Sequence, residues 1–104
     1  MDAQSVDNKM IEALLNTLNH DESANVRLVT LNALLKYADK AEVRKGLIEA
    51  IPYQDNAMLQ YALAEAMVLM QEKNSVENFQ ELLKDQNLDA DVKNKIQETI
   101  SKLS

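Results

Sequence analysis

Apolar residues recur along this chain at three- and four-residue intervals, in six stretches separated by short polar breaks. In the first stretch Ile11, Leu14, Leu15 and Leu18 make one stripe, with Lys9, Glu12, Asn16 and Asn19 opposite. Such spacing lines one face of an α-helix; a strand would need alternation with a period of two. The last stretch is similar, with Val92, Ile96, Ile100 and Leu103 on one side and Lys93, Lys95, Gln97 and Glu98 elsewhere. Between Met58 and Met70 only Gln60 and Glu65 are polar, and a helix apolar nearly all round is expected to be enclosed on several sides. The pattern predicts helices over about 7–19, 24–38, 40–51, 56–72, 75–86 and 90–103.

Alternate helices repeat one another. Val26, Leu59 and Val92 stand 33 residues apart, and so do Thr30, Leu63 and Ile96, then Leu34, Met67 and Ile100. The helices before them align as Leu14-Leu15, Leu47-Ile48 and Leu82-Leu83, the last displaced by two residues, which implies a tighter third hairpin. A fixed period of this length marks stacked supersecondary units. The chain therefore reads as one all-α domain over 1–104, with three antiparallel helix hairpins at about 7–38, 39–72 and 73–104. An enclosed fourth helix between amphipathic ends fits a stack whose outer units act as caps.

Local chemistry marks the boundaries. Ser23 and Asp89 are expected as N-caps of second helices, and Asp39–Glu42 and Asn74–Glu77 as capping boxes of first helices. Pro52 falls where the third helix should give way to the fourth. Gly46 is unfavourable within a helix, and points to close approach by a neighbouring helix.

The run Asp21-Glu22-Ser23-Ala24-Asn25-Val26-Arg27, followed by Ala33-Leu34, resembles the turn and second helix of a HEAT repeat. The resemblance covers nearly the whole chain and implies a right-handed α-α superhelix, a solenoid of six helices, whose second helices form the concave, partner-holding face. It also implies a ladder in which a turn Asp and an early Arg link neighbouring units: Asp21, and Arg27 reaching toward Asp55 of the next repeat. Gln60 and Lys93 occupy the later Arg positions, so the pattern departs from the family after the first rung. Short acidic arrays of this kind are similar to modules of bacterial regulatory proteins.

Charge and composition narrow the function. The net charge is −6, the reverse of the basic excess that displaces counterions from phosphates, so no nucleic-acid partner is expected. Aromatics are 4% of the chain, which leaves Leu, Ile, Val, Ala and Met to build the core. No apolar run is long enough to span a bilayer, and no direct membrane insertion is expected. The reading is a soluble protein, cytoplasmic if the chain is complete, or a soluble domain of a larger membrane-tethered one. With no cysteine and a single histidine, His20, thiolate metal sites are impossible. His20 lies beside Asp21 and Glu22 and reads as an exposed turn residue. Asp89 and Asp91 begin like a calcium loop but lack its third ligand and glycine. No phosphate loop or nucleophile elbow occurs, so no catalytic residue, cofactor or metal is expected.

At 100° per residue, Val26, Ala33 and Tyr37, with Leu59, Ala66 and Met70, set the expected core direction of the second helices. Leu28, Leu35, Tyr61 and Val68 then point away, in a strip shared with Asn32 and Glu65 that ends at polar Asn94 and Ser101. Either this strip holds a protein or peptide partner, or neighbouring second helices bury it against one another. Met58, Met67 and Met70 fill gaps in the core or add to such a surface. The expected function is a non-catalytic protein–protein interaction or regulatory module, the alternative being a structural or dimer-forming spacer of a longer protein.

Overall fold

The computed structural model describes residues 3–104, with side chains from Asn8 onward. Residues 1 and 2, where the expected domain starts, lie outside the described residues. Among the described residues there are six α-helices and no strand: α1 Ala3–His20, α2 Ala24–Leu35, α3 Ala41–Ala50, α4 Ala57–Leu69, α5 Val76–Leu82 and α6 Ala90–Leu103. Single 3-10 turns at Ile51–Tyr53 and Lys73–Ser75 extend the ends of α3 and the start of α5. All six expected helices are present, and none of the described ones is long and apolar enough to cross a membrane.

The starts of the second helices carry the 33-residue period. Ser23 Oγ accepts from the amide of Val26, Asn56 Oδ1 from those of Met58 and Leu59, and Asp89 Oδ1 from those of Asp91 and Val92. Each cap satisfies amide groups that the first turn leaves without a helical partner. The capping boxes expected at Asp39–Glu42 and Asn74–Glu77 do not form. Lys40 stands at the N-cap of α3 with no side-chain hydrogen bond. Ser75, at that of α5, already has helical angles because the chain arrives through a 3-10 turn.

Helix ends fall short of expectation for identifiable reasons. After α2, the amides of Lys36, Tyr37 and Ala38 bond three residues back, which tightens the chain out of the α-helix. At the end of α4, Gln71 turns left-handed at φ 54°, and the amides of Gln71 and Glu72 bond to Val68 and Met67. This is the Schellman arrangement, built here without glycine. α5 stops at Leu82, well before residue 86, in a series of i→i+3 turns.

Packing runs from α1 to α2 and α3, from α2 to α4, and from α4 to α6, with α5 against α6 and the turn after α3. The result measures 47 × 30 × 17 Å. α4 sits between α2 and α6 and buries Leu59, Leu63, Ala64, Ala66 and Met67. It is less enclosed than its composition implies: Met58, Tyr61 and Leu69 are exposed, Leu69 by 82%. In α2 the expected core direction is rotated. Thr30, Leu31 and Leu34 are buried, whereas Val26 is exposed, although its counterparts Leu59 and Val92 are covered. α4 and α6 each have an earlier second helix to pack on, and α2 has none.

Gly46 does allow a close approach. A Cβ at that position would stand 2.5 Å and 2.7 Å from the two terminal methyl carbons of Leu15 on α1. Replacing a mid-helix glycine by alanine gains about 1 kcal/mol of helix propensity, and overpacking costs about 1–3 kcal/mol. Gly46→Ala should therefore gain no stability in the parent, yet add about 1 kcal/mol in a Leu15→Ala background, where the clash is gone. Urea denaturation of the four proteins checks this, and equal effects in both backgrounds would contradict the contact.

Candidate binding surface

Tyr61, Asn32 and Glu65 are exposed, while Leu28, Leu35 and Val68 are half-buried and pack against the core. The strip read from the sequence thus splits. Its α2 part is mostly covered, and its α4 part opens toward α6. Tyr61 with Asp91, Asn94, Lys95 and Glu98 encloses a shallow hollow of about 320 Å³. A neighbouring hollow of about 190 Å³ lies between Glu65, Val68 and Leu69 on α4 and Lys95, Glu98 and Lys102 on α6. Leu28, Asn32 and Leu35 line neither.

The chemistry of this surface is aromatic and zwitterionic. Lys95 Nζ stands 4.9 Å from the centroid of the Tyr61 ring, a cation–π distance. Lys102 donates to Glu98 Oε1 at 2.8 Å. That hydrogen bond and the Lys102 charge, with Lys95 behind them, hold the Glu98 carboxyl below its ordinary range, and Lys102 is raised in turn by Glu98. The pair stands in open solvent, where salt screens it, so it shapes the surface more than it stabilises the fold. Sequence reasoning missed Lys95, Glu98 and Lys102, because their partnership with α4 depends on tertiary packing.

Tyr61 is 40% exposed, so its loss should be mild. Tyr61→Ala is expected to cost about 1 kcal/mol or less, the scale of an exposed cation–π contact, against about 3–5 kcal/mol for a fully buried aromatic. A melting curve separates the two outcomes.

The remaining singled-out residues serve the interior and the turns. Asp21 Oδ1 accepts from the Ser23 amide at 2.8 Å and holds its own turn. Arg27 Nη1 lies 3.9 Å from Asp55 Oδ1, and Asp55 is almost fully exposed. Its nearer partner is Gln54 Oε1 at 3.3 Å. Buried Gln54 also donates from Nε2 to the carbonyls of Leu18 and Ala50, and its own carbonyl accepts from Gln60 Nε2 at 2.9 Å. His20 meets Tyr53 edge-on, with ring centroids 6.1 Å apart. Of the three methionines, Met67 is core, Met70 half-buried and Met58 exposed. Among the described residues, no three His, Asp or Glu side chains are grouped as a metal would require.

No family model, curated protein or solved structure matches this chain.

Proposed function

We propose that this chain is a non-catalytic protein–protein interaction or regulatory module, a HEAT-like right-handed superhelix of three hairpins that receives its partner on the face of its second helices. The 33-residue recurrence of the caps Ser23, Asn56 and Asp89, and the row of contacts from α2 to α4 to α6, support the architecture. One observation carries the function: Tyr61, Met58 and Leu69 are exposed on α4, a helix otherwise committed to the core. Large apolar side chains grouped on one exposed face mark interaction surfaces more often than they mark accident.

The test uses a photoreactive residue installed at Glu65, between Tyr61 and Leu69, with a second protein carrying it at Glu12 on α1. A single partner crosslinked from position 65, absent from position 12 and lost on adding Tyr61→Ala, supports the reading. Identical adducts from both positions sink it. A second reading, self-association as a structural spacer, is favoured by Val29 and Leu69, exposed by 68% and 82%. It requires the 65-position adduct to be a second copy of this chain, and sedimentation to report a dimer that Leu69→Glu dissolves.

A further inference from the structure

A groove crosses the opposite side of the molecule. Leu15 and Asn19 of α1, Gly46 and Glu49 of α3, and Pro52 and Tyr53 of the following turn surround a hollow of about 520 Å³. Pro52 and Asn78 also wall an adjoining hollow of about 260 Å³ toward Glu81 and Asp85, so the two are continuous. Three features of this groove call for the same occupant. Glu49, Glu81 and Asp85 on its rim are exposed, and only Glu81 has a cationic partner, Lys84 at 2.8 Å. Tyr53, exposed by 58%, offers an aromatic face beside Pro52. Asn19 Oδ1 is buried and accepts no hydrogen bond, and a buried acceptor without a donor costs free energy that an incoming N–H group would recover.

We propose that this groove binds a basic segment of a partner protein through an arginine side chain. Arginine meets all three features together. Its planar guanidinium stacks on an aromatic ring while its fixed fork of donors serves an amide oxygen and a carboxylate. Its aliphatic stem suits Pro52 and Leu15. A lysine offers a point charge without the stacking plane, and an acidic segment would meet unpaired carboxylates. This surface is separate from the α4–α6 face, and either can stand without the other.

The probe is a short synthetic peptide with two arginines separated by two leucines, titrated into isotope-labelled protein, beside versions carrying lysine or uncharged citrulline. The arginine peptide should shift the Gly46 backbone amide and the side-chain amides of Asn19 and Asn78, and bind more tightly than either counterpart. Tyr53→Ala and Glu49→Gln, both at exposed positions, should each weaken it about five- to tenfold. Glu65→Gln, which removes the same charge from the other face, should leave it unchanged. The proposal fails if the shifts fall elsewhere, if citrulline binds as well as arginine, or if Glu65→Gln weakens binding as much as Glu49→Gln, which would reduce the effect to net charge.

Discussion

Leu63→Asp should leave the protein unfolded, or nearly so, at room temperature. Leu63 is 1% exposed at the middle of α4, and the buried cluster around it is hydrophobic, with no cation among its members. A carboxylate introduced there has no partner, and burying an unpaired charge costs several kcal/mol on top of the lost packing. A domain of this size has about 5–15 kcal/mol of stability in total. Protonation could relieve the charge, but the cavity and the desolvated carboxyl would remain. Leu69→Asp, six residues further along the same helix, supplies the control. Leu69 is 82% exposed, so the identical change should move the melting temperature by only a few degrees. Circular dichroism melts of the two variants compare the two sides of α4 directly. A Leu63→Asp protein that melts close to the parent would mean that α4 is turned differently from the structure described above.

How far the fold was legible from the sequence depends on where local chemistry decided it. The second helices begin at Ser23, Asn56 and Asp89, and both the caps and the 33-residue register sit in the sequence itself. The Gly46 approach was legible too, since an unfavourable residue inside a helix needs a compensating contact, and Leu15 supplies it. The rotation of α2 was not. Val26, Leu28, Val29, Leu31, Leu34 and Leu35 surround that helix, so its composition does not say which side is covered. Only the absence of an earlier second helix leaves Val26 and Val29 exposed. For the same reason the apolar strip was placed along α2 and α4, when the open surface runs from α4 to α6. Lys95 reaches Tyr61 across two helices, and no local rule connects positions that far apart.

Gln54 was the least legible residue, and its replacement carries the second large effect. In sequence it is a polar loop residue between Tyr53 and Asp55, of the kind expected in water. In the structure it is 2% exposed. Its Nε2 donates to Leu18 O of α1 at 3.3 Å and to Ala50 O of α3 at 3.4 Å. Both are carbonyls at helix C-terminal ends, which lack a helical donor. Its Oε1 accepts from Arg27 of α2, whose side chain is 11% exposed and whose Nε has no partner of its own. One side chain therefore joins three helices. Gln54→Leu keeps the size but strands two carbonyls and a mostly buried guanidinium, each at about 1–3 kcal/mol. A loss of about 3 kcal/mol or more is expected, which for a domain this size lowers the melting temperature by roughly 15 °C. Asp55→Ala is the companion measurement. Asp55 is 93% exposed and 3.9 Å from Arg27, a weak surface pair, so its removal should cost less than about 0.5 kcal/mol. If Asp55→Ala proved as damaging as Gln54→Leu, the Arg27–Asp55 ladder implied by the HEAT resemblance would be the principal tie between the first two units. The geometry assigns that tie to Gln54.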